Sequence, residues 1–307
     1  MIFRLKKFLV ALTLTLLASI AILLFVNWRF EPDKDELYYE AFRSQYAIFS
    51  PPVPARLKFA YEHVPLDLWD VRERFDRELL VNTYWQSNTV LYLKRANRWF
   101  PVIEPILKAN GIPEDFKYLA LIESGFLNVI SPAGAAGFWQ ILEPTGRELG
   151  LEINEHVDER FHPVKATEAA IRFLQNAKER FGSWTLAAAS YNIGMARLGR
   201  ILETQMQSCY YQLHLNEETS RYVFRILAVK TIFEDPRNSG FHLRPNDLYP
   251  PLHYKTVAVD TAITNLAGFA IQFGTNYKTL RLLNPWLRSN ELPQNQGKTY
   301  HINLPLI

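Results

Sequence analysis

Glu123 is the residue of this 307-residue chain whose setting points most directly to chemistry. It stands near the end of Phe116-Lys117-Tyr118-Leu119-Ala120-Leu121-Ile122-Glu123-Ser124. Phe116, Leu119 and Ala120 share its helical face at three-to-four spacing, and Tyr118, Leu121 and Ile122 make the other faces apolar. A helix apolar all round is a buried helix. A carboxyl on such a helix loses water, and desolvation raises its pKa toward neutrality. A glutamate that stays protonated near neutral pH can act as the general acid on a glycosidic bond. The pattern alone leaves a blander role open, with Glu123 facing solvent at the helix end or paired with an arginine, because structural ion pairs also perturb carboxylates.

The elements that must position Glu123 read as helices. Its own helix opens with Pro113, Glu114 and Asp115, residues favoured in a first turn, and stops at Gly125. Upstream, apolar residues recur at helical spacing from Val71 to Phe100, and Pro101 and Pro105 punctuate a next helix that ends at Asn110-Gly111. Downstream, the turn-rich Ser131-Pro132-Ala133-Gly134-Ala135-Ala136-Gly137 leads into Phe138-Trp139-Gln140-Ile141. Further helices are expected from about Pro163 to Phe181, Trp184 to Asn192 and Glu217 to Phe233. No alternating strand pattern of any length interrupts Val71 to Phe233, so this region is predicted to be all-α. Taken singly, Phe138 and Trp139 suit a core, Tyr191 suits a core tyrosine with a satisfied hydroxyl, and Asn192 suits a helix C-terminal signal.

In order and spacing, four blocks resemble the lytic transglycosylase family, that is, the soluble-lytic-transglycosylase-like domain in its membrane-bound D type. They are Glu123-Ser124, then Ser131 through Gln140, then Ala189-Ser190-Tyr191-Asn192-Ile193-Gly194, then Glu217-Glu218-Thr219-Ser220-Arg221-Tyr222-Val223. Ser190 stands where the family usually has alanine. The resemblance implies a lysozyme-like all-α catalytic domain acting on peptidoglycan, with Glu123 as sole catalytic acid and base. It implies that Ser124 hydrogen-bonds near the sugar or orients the carboxyl, and that Gln140 lines the saccharide groove. It also implies that Tyr191 hydrogen-bonds Glu123, that Asn192 fixes its helix end or contacts substrate, and that Tyr222 flanks the cleft. The expected reaction cleaves the MurNAc-GlcNAc bond without water and leaves anhydromuramyl ends. Two alternatives remain: a lysozyme-like muramidase using a second carboxylate, for which Glu143, Glu148 and Asp158 are available, and a wall-binding scaffold with an inactive fold.

After Pro245, Pro250 and Pro251 the pattern changes. Tyr254 to Val259 alternates like a strand, Ala262 to Phe273 and Tyr277 to Leu283 are amphipathic, and Lys298 to Leu304 alternates again. The stretch resembles a divergent LysM domain, a small α+β (βααβ) glycan-binding module. The likeness rests on Asp260-Thr261, Leu266, Ala267, Ala270, Phe273-Gly274, Leu280 and Leu283-Asn284-Pro285. Val259 replaces the usual glycine, and Trp286 and Leu287 make the following loop unusually apolar. The module is expected either to bind glycan or only to pack on the catalytic domain and position it.

From Phe8 to Trp28 the chain carries no charge, and as a helix this run spans roughly 30 Å, the thickness of a bilayer core. Arg4, Lys6 and Lys7 precede it, while Glu31, Asp33, Asp35 and Glu36 follow soon after, an arrangement that leaves the N-terminus in the cytoplasm. A retained transmembrane helix is expected, with a cleaved signal peptide as the alternative. The expected organisation is therefore mainly α: a stub and membrane anchor over 1–29, a linker or docking arm over 30–69, the catalytic domain over 70–240 and the module over 252–307. The net charge of +3, with basic and acidic residues interleaved, gives no footprint for nucleic acid. One cysteine, Cys209, and seven scattered histidines offer no metal-ligand spacing, so neither cofactor nor metal is expected. The expected partners are peptidoglycan strands and the inner membrane, with a monomeric catalytic domain in the periplasm.

Overall fold

A computed structural model describes residues 2–29, 40, 48–295 and 297–306, which fall into two units, 1–50 and 51–307. The first unit carries helix α1 (Ile2–Arg29), which takes in the uncharged run from Phe8 to Trp28. Among the described residues no helix is long and apolar enough to cross a membrane. The side chains of residues 23–29, on which the expected anchor partly rests, lie outside the described residues, as does most of the expected arm between 30 and 47.

The second unit begins earlier than the expected boundary at 70. Strands β1 (Lys58–Phe59) and β2 (Glu62–His63) form a small antiparallel hairpin, and Leu57, Phe59, Val64 and Leu66 are buried in the main core. Residues 51–68 are therefore part of the folded body rather than a linker. The cause is Glu62, whose carboxylate accepts from the Trp184 and Thr185 amides at 2.6 and 2.9 Å and from the Ser183 and Thr185 hydroxyls at 2.7 Å each. It thus satisfies orphan donors at a helix start, beside the cap that Ser183 itself supplies.

Helices α2 (Trp69–Tyr84) and α3 (Gln86–Ala109) follow. The break falls at Trp85, and α3 runs through both Pro101 and Pro105, against the expectation of a boundary at the prolines. Each proline removes one backbone donor, yet buried Ile103 and Leu107 hold the surrounding turns against the core, and tertiary burial overrides the local signal. At the Trp85 break, Thr89 Oγ1 donates to the Asn82 carbonyl oxygen at 2.5 Å and satisfies an end group of α2.

Helix α4 (Phe116–Ser124) ends where Gly125 takes φ +60°. A Cβ there would lie 2.9 Å from the Tyr92 ring, so the stop needs glycine for space as well as for conformation. Helices α5 (Glu143–Glu148), α6 (Pro163–Phe181) and α7 (Trp184–Ile193) come next, then α8 (Met195–Gln205), which the sequence pattern did not suggest because it starts directly after the stop signal at Gly194. Helix α9 (Glu217–Glu234) is the spine of the body. Tyr222, Val223, Phe224, Ile226, Leu227, Ala228 and Val229 are all buried, and α9 packs on α2, α7 and α4.

Strands β3 (Tyr254–Val259) and β4 (Tyr300–Pro305) pair antiparallel from Tyr254↔Pro305 to Val259↔Tyr300, with α10 (Leu266–Gln272) and α11 (Tyr277–Leu283) between them. This is the expected βααβ order. Its core of Leu266, Ala270, Leu280, Leu287, Leu292, Ile302 and Leu304 is completed by Ala136, Val157 and Phe161 of the helical body. Backbone hydrogen bonds join the two parts, Asp158 N to Trp286 O at 2.9 Å and Arg288 N to His156 O at 2.8 Å. The apolar Trp286-Leu287 loop is thereby explained: both residues are buried in the joint.

Candidate active site

Helix α4 delivers Glu123 to a groove of about 570 Å³ that is also lined by Ser131, Gln140, Tyr191, Asn192 and Glu218. The groove wall opposite α4 is the end of α7, and its rim is the loop 131–140. The carboxyl is half-buried, and loss of water is the largest influence on it, raising its pKa above the ordinary carboxylate value. The Tyr222 hydroxyl donates to Glu123 Oε1 and, with the nearby positive charge of Arg225, pulls the other way, while Glu218 pushes up again. The net shift is upward. Tyr222 is itself buried, and burial first, then the Glu123 charge, keeps its hydroxyl protonated as a donor.

This hydrogen bond falls to a different tyrosine from the one the family resemblance implied. Tyr191 donates instead to the Trp139 carbonyl oxygen at 2.8 Å. Its ring still lines the groove close enough for the Glu123 charge to raise its pKa further, after burial. The reason lies in the loop: Trp139 is fully buried with its Nε1 donating to Thr167 Oγ1 at 2.9 Å, so its carbonyl faces α7 and needs a donor there. Tyr222, lying behind the groove on α9, is left as the partner of Glu123.

Ser124 also differs from expectation. Its Oγ donates to the Phe138 carbonyl oxygen at 2.9 Å, which ties the rim loop to the end of α4 and points the hydroxyl away from the groove. Gln140 does line the groove, with φ +47°, a left-handed conformation rare outside glycine. Its Nε2 donates to Gly137 O at 2.8 Å and Val129 O at 3.2 Å, bonds that hold it there. Asn192 bridges α7 to α9, donating from Nδ2 to Glu218 Oε1 at 2.9 Å and accepting at Oδ1 from Thr219 Oγ1 at 2.7 Å.

The loop is braced from beneath. Gly137 sits at φ +77°, and a Cβ there would come within 1.9 Å of the Arg160 carbonyl oxygen, so only glycine fits. Arg160 Nη1 donates to Gly134 O at 3.0 Å within the loop and to Ile141 O at 3.3 Å just after it. Its charge is met by buried Asp158 at 2.7 Å.

None of the carboxylates named in advance as a second acid or base reaches the groove. Asp158 is spent on Arg160, Glu143 pairs with Arg147 at 2.8 Å, and Glu148 lines a separate cleft. The second carboxylate in the groove is Glu218, which sequence reasoning passed over. Its signal was its place one residue before Thr219 in the fourth block; nothing local told it from its neighbour Glu217, which is exposed like it.

Comparison with known proteins finds matches to two domain families. Residues 101–213 match the transglycosylase SLT domain, and residues 255–306 match the soluble lytic transglycosylase C-terminal LysM-like domain. Tyr222 and all of α9 lie beyond the first match. Two relatives named membrane-bound lytic murein transglycosylase D, from Escherichia coli strain K12 and Escherichia coli O6:H1, are each 29% identical over 210 residues, covering 66% of this chain and 46% of the relative. The chain thus spans about half the length of the curated relatives it matches. A solved structure of an inactive mutant of lytic transglycosylase Slt from Pseudomonas aeruginosa is 17% identical, with a TM-score of 0.38, over 59% of this chain and 35% of that one.

Proposed function

We propose that this chain, which carries a transglycosylase SLT domain followed by a LysM-like domain, cleaves peptidoglycan glycan strands without water. The observation that carries the reading is Glu123: a desolvated carboxyl, its pKa raised by burial, in an open groove and held by one buried tyrosine hydroxyl. Glu123 donates its proton to the oxygen bridging muramic acid C1 to the next glucosamine, and the C1–O bond breaks. The N-acetyl carbonyl of the same muramic acid shares the positive charge that develops at C1. The glutamate, now a carboxylate, takes the proton from the muramyl C6 hydroxyl as that oxygen bonds to C1. The leaving sugar keeps the donated proton as its hydroxyl, the C6 proton regenerates the acid, and a 1,6-anhydro end remains. An intramolecular hydroxyl outcompetes solvent through its high effective concentration.

Gln140 and Asn192 are placed to contact the strand from the two walls, and Tyr222 orients and tunes the carboxyl. A hydrolytic reading has one observation in its favour, Glu218 in the same groove. Its hydrogen bond from Asn192 ties it to the joint between α7 and α9, a structural duty that supports the non-hydrolytic reading instead. Mass spectrometry of purified peptidoglycan after digestion separates the two. Anhydromuramyl products are expected, absent with Glu123→Gln; products one water heavier, with reducing ends, overturn the proposal.

The uncharged run Phe8 to Trp28, its basic flank and the membrane-bound naming of the Escherichia coli relatives support an inner-membrane anchor with the second unit in the periplasm. Fractionation of the full chain with N-terminal sequencing tests this; a soluble product that starts beyond residue 28 overturns it.

A further inference from the structure

A second and smaller pocket of about 170 Å³ adjoins the groove. It meets the groove at Glu218, which lines both. Its walls include Ile122, the residue before the proposed acid, together with Arg221, Arg225 and Trp85. Trp85, at the break between α2 and α3, is 60% exposed.

Arg225 has an unusual position there. Among the described residues its guanidinium pairs with no carboxylate, and its polar contact is a donation from Nη2 to the Ile122 carbonyl oxygen at 3.2 Å. Three other arginines of the body are neutralised directly: Arg160 by Asp158 at 2.7 Å, Arg74 by Asp70 at 2.5 Å, and Arg221 by Glu78 at 2.7 Å. Arg221 and Arg225 stand four residues apart on α9, where like charges repel. Neither carboxylate of the pocket pairs directly with Arg225: buried Glu78 is taken by Arg77 and Arg221, and Glu218 accepts from Asn192. A half-buried cation with no direct ion-pair partner, although the Glu123 charge lies nearby, gains from an anionic ligand.

We propose that this pocket is a carboxylate-binding subsite in which Arg225 receives an anionic side group of the glycan strand. The inference rests on reading the adjoining groove as the glycan cleft. The muramic acid unit carries the required chemistry: its lactyl ether ends in a carboxylate when bare, and in a peptide with carboxylates of its own when substituted. The pocket holds only a few heavy atoms, enough for one such group. Trp85 on the rim offers a flat apolar face to a sugar ring or to the lactyl methyl.

The test measures binding in a Glu123→Gln background, so that turnover does not intervene. Three glycan oligomers are compared: one bearing peptide stems, one stripped to free lactyl carboxylates, and one stripped and converted to neutral methyl amides. Adding Arg225→Gln, which keeps a donor for the Ile122 carbonyl, is expected to weaken binding of a charged oligomer about tenfold, near the worth of one charge-assisted hydrogen bond. The neutral oligomer changes by less than about twofold. Arg225→Lys, which keeps the charge, retains most of the affinity. A loss confined to the stripped acid assigns the lactyl carboxylate; a loss confined to the stem-bearing oligomer assigns the peptide. Equal losses on all three, or none, overturn the subsite while leaving cleavage by Glu123 intact. If no oligomer binds and the unmutated protein releases no anhydromuramyl product, the glycan reading falls and takes the subsite with it.

Discussion

At the scale of single residues, the site consists of one carboxyl and the groups that set its proton affinity. Burial raises the Glu123 pKa, so in the window between the unfolded value near 4.3 and the raised folded value the native state binds more protons than the unfolded one. Stability contributed by this group is therefore full below the window and falls as pH rises through it. Glu123→Gln is expected to abolish cleavage, by about a thousandfold or more. It should also raise the melting temperature at neutral pH by roughly 2–4 °C, the effect of about 1 kcal/mol in a body of this size. Calorimetry at pH 4 and pH 7 checks this, and an equal gain at both values refutes the electrostatic account. Tyr222→Phe removes a donor that lowers the Glu123 pKa, so the alkaline limb of the pH-rate profile is expected to move up while kcat falls about tenfold. Tyr191→Phe leaves that limb in place, since its hydroxyl serves the Trp139 carbonyl. If the two variants shift the limb alike, the division of labour between the tyrosines is wrong.

At the scale of elements, the groove depends on a loop and on a helix start that distant residues secure. Gly137→Ala drives a Cβ into the Arg160 carbonyl and is expected to cost roughly 3 kcal/mol or to displace Gln140, read out as lost thermal stability with lost glycan affinity. Glu62 holds the start of α7, the helix that ends in Tyr191 and Asn192. Burial pushes its pKa up, but its hydrogen bonds from Thr185, Ser183 and Trp184 outweigh that and leave it lowered. A lowered carboxylate stabilises above its unfolded pKa, and the benefit is lost as pH falls through the folded value. Glu62→Ala should cost about 2 kcal/mol at neutral pH and markedly less near pH 3, as denaturant titration at both values will show.

At the scale of the whole second unit, the C-terminal module and the helical body share one core through Ala136, Val157 and Phe161. A chain ending at 250 is expected to unfold at lower temperature than the full second unit, whose own unfolding should be a single transition; two separate transitions in calorimetry contradict the shared core. His162 lies at this joint, with its ring 6.0 Å from that of Trp286. Burial, helped by Lys165 and His301, holds its pKa down to about 4 against an ordinary value near 6.5. Between those values the unfolded state takes up the proton first, so stability of the joint falls as pH drops from about 6.5 to about 4. Hydrogen exchange of β4 should accelerate over that window, and His162→Gln should flatten the response.

The sequence by itself determined the helical class, the position of Glu123 on a buried helix, the loop that carries Gln140 and the βααβ order of the module. Each of these is written in local periodicity and in stop signals, which depend on neighbours a few residues apart. Only the tertiary structure decided which tyrosine meets Glu123, that Ser124 serves the loop, that Glu218 and Arg225 border the acid, and that residues 51–68 belong to the folded body. Most of those outcomes turn on contacts between positions far apart in the chain, such as Tyr222 with Glu123 and Glu62 with Thr185. Which buried donor takes which acceptor is settled by how helices pack, and no local pattern encodes that choice.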